Sequence, residues 1–506
     1  MELPDREICY RALETRDARF DGRLFVGVTS TGVYCRPICP ARTPQFRNCC
    51  FFSSAAAAQE AGFRPCLRCR PETAPDLASW RGTSNTVSRA LALIAEGALD
   101  SDDSGVAKLS KRLGMGERQL RRLFEEHLGA SPIAVAQTRR VLFAKQLIHE
   151  TRMPMAEIAL AAGFGSLRRF NEVFRDLFRR PPTALRRNDS AGWIPAKMGV
   201  RLRLRYRPPY DWDSMLAYLE PRAIPGVEVV EDGSYQRTVE IDGYMGLVHV
   251  VHLPHVHSLG VGIRFPNVRF LPAIVARVRR LFDTSADIGT IDEHLSRDSV
   301  LARLVAERPG LRAPGGWDGF ELAVRAVLGQ QVSVAAARRL AEHLVLRHGR
   351  RLPVESDRHS GLSHVFPTAQ CLARSESIGL GMPLARLLAL KALAEAAMAD
   401  GNLFRPFGTI EEAITRFRSI RGIGEWTAQY IALRALREPD AFPASDVGLL
   451  RGVALVDGMR SSPDRLLKRA ESWRPWRAYA AQHLWAAQSI ANPNRGNTGL
   501  RSCGSW

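Results

Sequence analysis

The spacing of apolar side chains changes several times along the chain, and each change marks a different kind of element. From residue 83 to 187, and again from about residue 298 onward, apolar residues recur every three or four positions, which is typical of helices that bury one face. Between residues 234 and 253 they alternate with polar residues on both sides of Asp242-Gly243, which predicts a β-hairpin in a small antiparallel sheet. The pattern therefore predicts a multidomain protein that is mainly α, with small α+β parts.

The first helical region repeats one unit, a helix, a glycine turn and a second helix. The predicted helices are 106–113, 117–128, 155–162 and 166–178, with turns at 114–116 and 163–165. Two helix-turn-helix units can place two helices in successive segments of the DNA major groove. Candidate DNA contacts on the second helix of each unit are Arg118, Arg121, Arg168 and Arg169. A base contact is possible for each, but phosphate contact is the commoner role of a single arginine.

A glycine hairpin, Gly422-Ile423-Gly424, joins two helical patterns in the second helical region, and a single acid, Asp446, follows them. Glycine has no Cβ, so the backbone here can approach a partner closely. The free N–H groups at the start of the second helix also form a natural phosphate site. A glycine turn that merely ends a helix has the same local pattern, so spacing alone leaves both interpretations open.

Six of the nine cysteines lie between Cys35 and Cys69. Cys35-x3-Cys39 and Cys66-x2-Cys69 form two close pairs, and each pair can supply one edge of a tetrahedral Zn²⁺ site. The surrounding segment has little other core, which favours a structural metal. Arg36 and Arg42 lie beside the cluster and are candidates for phosphate contact, with a solvated basic face as the alternative.

The net positive charge of the chain favours a negatively charged partner such as nucleic acid. The 506 residues carry a formal net charge of +19, divided as +10 in residues 1–200 (31 Lys and Arg against 21 Asp and Glu) and +9 in the remainder (40 against 31). Both halves can therefore face nucleic acid, although a generally basic proteome would give the same excess. The chain shows no basic and then apolar leader and no 18-residue apolar stretch, so we expect a cytoplasmic protein without membrane contact.

Four segments of the second half carry a family likeness. They are RPPYDWDSMLAYL (207–219), RPGLRAPGGWDGFELAVRAVLGQQVSVAAA (308–337), GIGEWTAQYIALR with FPASDVGLL (422–450) and SWRPWRAYAAQHLW (472–485). Together they resemble bacterial DNA-3-methyladenine glycosylase II, the AlkA type of the helix-hairpin-helix superfamily. The resemblance implies an α+β subdomain at 200–297 and an all-α glycosylase domain at 298–491. It also implies hydrolysis of the N-glycosidic bond of alkylated bases.

The same resemblance implies roles for individual residues. Asp446 would stabilise the oxocarbenium-like sugar or activate water, and the hairpin at 422–424 would hold the DNA backbone. Gln331 stands where the AlkA type has a leucine that fills the gap left by the extruded base. The implied base pocket consists of Tyr218, Trp426, Tyr430 and Trp485. Trp426 also stands where bifunctional lyases carry a lysine, which implies a monofunctional hydrolase.

The first half carries a second resemblance. TSTGVYCRPICPAR (29–42) and GFRPCLRCRPE (62–72) resemble the zinc domain of the adaptive-response regulator Ada, and residues 156–186 resemble the AraC family of activators. This implies a zinc domain at 1–80, in which Cys35 accepts a methyl group from a DNA methylphosphotriester, and a DNA-binding domain at 83–187. No PCHR-type segment is present, so the second methyl acceptor of Ada, which repairs O6-methylguanine, is not expected.

We expect a flexible linker at 188–199 and a disordered tail at 492–506. The expected partners are alkylated and promoter double-stranded DNA and RNA polymerase, bound by a monomer. One interpretation is a methylation-responsive regulator fused to an active repair glycosylase. The alternative is a DNA-binding regulator whose glycosylase half is inactive and serves only for contact.

Overall fold

The computed structural model describes residues 3–74, 85–100, 105–186, 199–353, 361–375, 378–405, 409–458 and 461–491. The tail predicted at 492–506 lies outside these residues, as does the linker predicted at 188–199 except for Gly199. Within the described part of the chain, no helix is both long enough and apolar enough to cross a membrane.

The amino-terminal part forms a small sheet that brings the two cysteine pairs together. Its elements are α1 (Arg6–Glu14), β1 (Phe25–Val28), β2 (Val33–Cys35), β3 (Cys49–Phe52), α2 (Ala55–Glu60) and β4 (Arg64–Pro65), and the sheet order is β3-β1-β2-β4. β2 and β4 run parallel with Tyr34 opposite Pro65. Cys35 and Cys66 are the next residues along these two strands, so the pairing sets the two cysteine pairs side by side.

Two helix-turn-helix units follow. The helices are α3 (Asn85–Ala95), α4 (Val106–Arg112), α5 (Glu117–Leu128), α6 (Pro132–Glu150), α7 (Met155–Ala161) and α8 (Leu167–Phe178). α5 buries Leu120, Phe124 and Leu128, and α8 buries three phenylalanines at the same four-residue spacing. That spacing keeps one face of each helix in the core and leaves the opposite face to solvent. The predicted pair of units is confirmed.

A five-stranded antiparallel sheet opens the second half. Its elements are β5 (Val200–Arg205), α9 (Trp212–Leu219), β6 (Glu228–Glu231), β7 (Ser234–Ile241), β8 (Tyr244–Leu253), β9 (Ser258–Arg264) and α10 (Leu271–Leu281), with strand order β5-β9-β8-β7-β6. β7 and β8 form the predicted hairpin, with Ile241 paired to Tyr244. Asp242 and Gly243 both have positive φ, 52° and 82°, as a two-residue hairpin turn requires.

The remainder is helical and packs around two apolar cores. The helices are α11 (Ile288–Leu295), α12 (Ser299–Glu307), α13 (Gly319–Leu328), α14 (Val334–His348), α15 (Ala369–Arg374), α16 (Leu384–Ala399), α17 (Ile410–Arg418), α18 (Glu425–Ile431), α19 (Val447–Asp457), α20 (Pro463–Ala470) and α21 (Arg477–Ala491). A π-helical turn, Ala432–Leu436, continues α18. One core contains α13, α16 and α18, and the other contains α11, α12, α19 and α21. The predicted fold class, mainly α with small α+β parts, is confirmed.

The two halves of the chain pack directly against each other, whereas the sequence predicted a flexible joint. One apolar core runs from α6, α7 and α8 into the five-stranded sheet. Gln146 of α6 donates to the carbonyl of Arg203 in β5 at 2.9 Å, and the Arg203 N–H donates to Glu150 at 2.9 Å. Arg207, which pairs with Asp287 at 2.6 Å, donates to the carbonyl of Arg19, and Asp287 also pairs with Arg23. The difference arises because α6 has apolar residues on more than one face, and one face covers the sheet.

Candidate functional site

Asp446 lies at the start of α19, and its carboxylate accepts hydrogen bonds from three N–H groups. It is the N-cap of that helix, where its Oδ1 accepts the backbone N–H of Leu449 at 2.8 Å. The same oxygen accepts the indole N–H of Trp485 at 2.8 Å, and Oδ2 accepts the indole N–H of Trp426 at 2.8 Å. The carboxylate is half-buried, so it is fixed in orientation but remains within reach of a ligand.

Aromatic rings from three helices surround this carboxylate. Trp426 and Tyr430 are one turn apart on α18 and stack with centroids 5.4 Å apart and planes 16° apart. Trp485 of α21 meets Tyr430 edge-on at 6.5 Å. The hydroxyl of Tyr218, from α9, lies 3.1 Å from that of Tyr430. The structure therefore brings together all four predicted pocket residues and Asp446, and we call this group the aromatic cleft.

Arg434 is a member of the cleft that was not predicted from the sequence. It lies in the π-helical turn, is 1% exposed, and its guanidinium lies 4.7 Å from the ring of Tyr218, 5.0 Å from Trp485 and 5.8 Å from Tyr430. It is held by hydrogen bonds to the Pro314 carbonyl and the Gln482 side chain, both at 2.8 Å. Arg434 follows Tyr430 by four residues, so helical spacing already placed the two on one face.

The glycine hairpin lies between α17 and α18. Gly422 has φ of +83°, and a Cβ there would lie 2.4 Å from Cβ of Ala389. Gly424 is exposed with open space around it, whereas the Ile423 side chain is buried. The Ile423 side chain is therefore part of the core, and only its backbone can face a partner.

The loop between α13 and α14 is tied to this hairpin. The Gln330 side chain donates to the Gly422 carbonyl and to the Thr427 hydroxyl, both at 3.0 Å. Gln331 is exposed and has φ of +57°, a conformation that side chains other than glycine adopt rarely. Gln330 thus positions the loop while Gln331 projects from it. The family resemblance implied a role for Gln331 but none for the anchoring residue Gln330.

Four buried cysteines form a second site. The Sγ atoms of Cys35, Cys39, Cys66 and Cys69 all lie within 4.8 Å of one another. Four thiols at this separation match the ligand set and size of a tetrahedral Zn²⁺ centre.

Backbone N–H groups contact three of the four sulfurs. Arg36 N–H donates to Sγ of Cys69 at 3.3 Å, and Arg68 N–H donates to Sγ of Cys66 at 3.4 Å. The pKa of the Cys39 thiol is lowered to about 7, mainly by hydrogen bonding to Cys35. A backbone hydrogen bond from Ala41 contributes to this lowering.

Arg36 requires a correction. Its side chain is 1% exposed and forms an ion pair with Asp21, with Nε 2.7 Å from Oδ1. It also donates to the Thr73 hydroxyl at 2.8 Å. The predicted phosphate contact by Arg36 is therefore wrong for this structure, because the guanidinium fastens the zinc domain internally. Arg42 is exposed.

The predicted arginines of the helix-turn-helix units are all exposed. Arg118 and Arg121 lie on α5, and Arg168 and Arg169 lie at the start of α8. Arg168 also pairs with Glu172 at 2.9 Å, one turn later on the same helix. An exposed ion pair of this kind is weak, so it leaves the arginine available to a phosphate.

A buried charge cluster joins the cysteine site to α6. The ammonium of Lys145 donates to Glu72 at 2.7 Å and to the Cys66 carbonyl at 3.0 Å, and Nδ1 of His149 lies 3.2 Å from Glu72. Burial disfavours the Glu72 carboxylate, but the charge of Lys145, the hydrogen bonds from His149 and Lys145 and the charge of Arg70 together outweigh burial and lower the pKa of Glu72. Burial lowers the pKa of His149. Sequence spacing gave no signal for this cluster, because its members come from different domains.

Family models match three parts of the chain. Residues 8–72 match the metal binding domain of Ada, residues 109–188 a helix-turn-helix domain, and residues 201–318 the AlkA N-terminal domain. The match at 8–72 contains all four cysteines, and they are positioned to bind the predicted zinc ion.

Similar whole proteins agree with these matches. The chain is 43% identical over 486 residues to the "Probable bifunctional transcriptional activator/DNA repair enzyme AlkA" of Mycobacterium tuberculosis, covering 95% of this chain and 96% of that one. It is 37% identical over 286 residues to DNA-3-methyladenine glycosylase 2 of Escherichia coli, covering 56% and 95%. A 3-methyladenine DNA-glycosylase structure from Archaeoglobus fulgidus, at 22% identity and a TM-score of 0.51, shares the fold over 57% of this chain and 99% of its own.

Proposed function

This chain belongs to the family of bifunctional transcriptional activators and DNA repair enzymes of the AlkA type, and we propose a role in that function for each of its two sites. The carboxyl-terminal half is a DNA glycosylase of the 3-methyladenine type, and the amino-terminal half is a zinc and helix-turn-helix regulator. Both halves bind DNA.

Asp446 is the catalytic carboxylate of the proposal. As the bond between C1′ and the base breaks, positive charge develops on the sugar, and a fixed carboxylate stabilises that charge without having to reorient. Two hydrogen bonds support this role. The indole N–H groups of Trp426 and Trp485 donate to different oxygens of Asp446, each at 2.8 Å. Trp426 offers no amine to attack C1′, so the product is the free base and an abasic sugar.

The aromatic cleft receives the extruded base. Trp426 is the ring best suited to stack on it, because none of the cation–ring contacts among the described residues involves Trp426. The backbone at 422–424 holds DNA phosphate, and Gln331 fills the gap that the extruded base leaves in the duplex. The hydrogen bond from Gln330 to the Gly422 carbonyl supports these two roles, because it fixes the loop that contains Gln331 relative to the hairpin.

Base release from methylated duplex DNA tests the glycosylase assignment. The full-length protein should release alkylated purines, and Asp446→Asn should bind the same DNA with little or no release. The competing function, a regulator with an inactive glycosylase half, has one supporting feature, namely that the cleft lies in a chain with two other DNA-binding units. It predicts DNA binding without base release by the wild-type protein, so one measurement separates the two.

Cys35 is the methyl acceptor of the proposed regulator. Bound zinc would keep the four thiols deprotonated at neutral pH. The Cys35 sulfur attacks the methyl carbon of a methylphosphotriester, the O–CH₃ bond breaks with its electron pair, and a phosphodiester anion leaves. Backbone N–H groups donate to the sulfurs of Cys66 and Cys69 and withdraw electron density from them, which supports an acceptor other than these two.

Promoter recognition completes the proposal. α5 and α8 enter the major groove, where Arg118, Arg121, Arg168 and Arg169 contact phosphates or base edges. We also propose that the protein acts as a monomer, since it carries two reading helices itself, and that it contacts RNA polymerase as activators do. Footprinting with Arg169→Ala tests the promoter contact, and sizing of the complex by light scattering tests the monomer.

A further inference from the structure

The first helix of the helix-turn-helix domain has a charged side that meets the glycosylase half. α3 buries apolar side chains in the core of its own domain, namely Val87, Ala90, Leu91, Leu93 and Ile94. Arg89 and Glu96 are seven positions apart, which is about two helical turns, so they lie on one side of this segment. The apolar residues therefore hold α3 in the helix-turn-helix domain and leave two opposite charges for another contact.

Both charges pair with residues of the glycosylase half. Arg89 lies 3.8 Å from the carboxylate of Glu438, and each of these two residues is only 6% exposed. Glu96 lies 3.6 Å from Arg280 of α10 and 4.0 Å from Arg405. Because the charges are complementary at both points, they fix the position of α3 against the glycosylase half.

Glu438 connects this contact with the aromatic cleft. Its N–H donates to the Ala432 carbonyl at 3.0 Å, so Glu438 is bonded to the start of the π-helical turn Ala432–Leu436. Arg434 lies within that turn, and its guanidinium lies against the rings of Tyr218 and Trp485. π-helical turns are rare and occur frequently at functional sites. A shift of Glu438 would therefore be passed to the turn that carries Arg434.

The glycosylase half holds the same turn at two other points. The carbonyl of Arg434 accepts the N–H of Gly316 at 2.8 Å, and Arg437 donates to the Ala313 carbonyl at 2.6 Å. Arg89 adds a contact from the other half of the chain. Arginine stays charged at neutral pH. The pair with Glu438 therefore joins two full charges in buried surroundings, where their attraction is stronger than at the surface.

We propose that Arg89 is a positioning residue for base release, which acts through Glu438 to fix the π-helical turn and thereby the place of Arg434 in the aromatic cleft. The inference rests on the proposed glycosylase function of the cleft. It makes the helix-turn-helix domain a structural part of the glycosylase as well as a regulator.

The electrostatics explain how a residue outside the cleft can act on it. Burial lowers the pKa of Arg89, and the charges of Glu438 and of Glu412 on α17 oppose this lowering. Removal of Arg89 takes a positive charge away from the buried Glu438 carboxylate, which is then drawn toward water or other donors. A misplacement of about 1 Å can lower a rate by about 10²-fold. We expect a smaller loss, about 10-fold, because Gly316 and Ala313 still hold the turn.

A double-mutant cycle in the full-length protein tests the proposal, with Arg89→Met, Glu438→Gln and the two changes together. Base release from a duplex that contains 7-methylguanine is measured in a single turnover at saturating protein, so that duplex affinity does not enter the rate. Each single variant should lower the rate by about 10-fold. The double variant should be no slower than the single ones, because both changes remove the same contact, whereas independent effects would multiply to about 10²-fold.

Further variants separate positioning from loss of the fold. Arg89→Lys keeps the positive charge and should restore most of the rate, while its affinity for the lesion duplex should equal that of wild type. Arg152→Met, at an exposed arginine of the same domain, is the matched control and should leave the rate unchanged. Rates are compared at a temperature at which thermal melts show every variant to be folded. If Arg89→Met does not fold, Arg89→Gln takes its place in the cycle.

The outcomes distinguish this role from the function on which it depends. A wild-type rate in the Arg89 variant, or independent effects that multiply to about 10²-fold in the double variant, overturns the role of Arg89 and leaves the glycosylase function intact. Absence of base release by the wild-type protein contradicts the proposed function itself.

Discussion

The indole nitrogen of Trp426 lies 2.8 Å from Oδ2 of Asp446, although the two residues belong to different helices and are separated by 20 positions. This contact ties the stacking ring of the cleft to its carboxylate. A base that stacks on Trp426 is therefore held at a fixed distance from the group that acts on its sugar.

Asp446→Asn should abolish base release while nearly preserving binding to damaged DNA. Asparagine caps a helix as well as aspartate does, so α19 should stay in place while the charge is lost. The lost stabilisation of the sugar cation should cost about 3 kcal/mol or more in rate. Single-turnover excision and a binding isotherm measure the two effects, with Asp457→Asn at the far end of α19 as control. Wild-type release rates in Asp446→Asn would refute the assignment.

Gly422→Ala should lower the stability of the fold, whereas Gly424→Ala should weaken DNA binding. A Cβ at Gly422 would meet Ala389 at 2.4 Å and occupy positive φ, so the variant should lose about 1–3 kcal/mol of stability. Gly424 has ordinary φ and open space, so its variant should fold normally but bind duplex DNA more weakly, because the methyl group holds the phosphate away. Chemical denaturation and DNA titration measure the two properties. Equal effects of both variants on both properties would argue against backbone contact by the hairpin.

Lys145→Met should be strongly destabilising, since it leaves the Glu72 carboxylate buried without its main partner. The expected loss is about 3–5 kcal/mol, and Glu72→Gln in the same chain should recover part of it. Lys108→Met, an exposed lysine on α4, is the matched control. Denaturant midpoints measure the change, and a midpoint as high as that of the control would mean that the cluster is not needed for stability.

The same cluster predicts a direction of pH dependence. The folded-state pKa values of Glu72 and His149 are both lowered, so each contributes stability above its unfolded pKa, about 4.3 and 6.5 respectively. His149 loses its contribution as pH falls below about 6.5, and Glu72 follows as pH falls below about 4.3. The melting temperature should therefore fall as the pH is lowered from about 8 to about 4. His149→Phe should make the first part of this fall less steep. A melting temperature that rises on acidification would contradict this sign.

The zinc domain should contain one Zn²⁺ per chain. Chelation should unfold residues 3–74 alone, because these residues have only a small apolar core apart from the metal site. Metal analysis of wild type and Cys69→Ser checks the first point, and base release measured after chelation checks the second. A zinc-free but cooperatively folded zinc domain would mean that the cysteines only pack.

Methylation of Cys35 should tighten promoter binding. Four thiolates on Zn²⁺ give the site a formal charge near −2, and methylation removes one negative charge. At about 6 Å from a phosphate this is equivalent to roughly 0.7 kcal/mol in water and about 3 kcal/mol at an effective dielectric constant of 20, or ~3-fold to ~100-fold in affinity. Promoter titration before and after exposure to methylphosphotriester DNA measures it, with Cys35→Ser as control. Methyl transfer without any shift in the isotherm, at low salt as well as high, would exclude the electrostatic switch.

The sequence by itself determined the features that depend on local spacing. The two cysteine pairs, the repeated helix-turn-helix pattern, the Asp242-Gly243 hairpin and the positions of Trp426 and Tyr430 one helical turn apart all follow from residues close together in the chain. Such patterns fix which side chains share a face or a turn, because helix and strand periods are set by backbone geometry.

Only the tertiary structure decided which distant groups meet and which charges become buried. Tyr218 and Tyr430 are 212 positions apart, and no local pattern predicts that their hydroxyls are in contact. Nothing in the sequence beside Arg36 and Arg434 distinguishes them from surface arginines. Each is nevertheless 1% exposed, because segments remote in the chain supply acceptors for its guanidinium. Burial of a charge depends on those partners and not on the residues beside it, since an unpaired charge could not leave water.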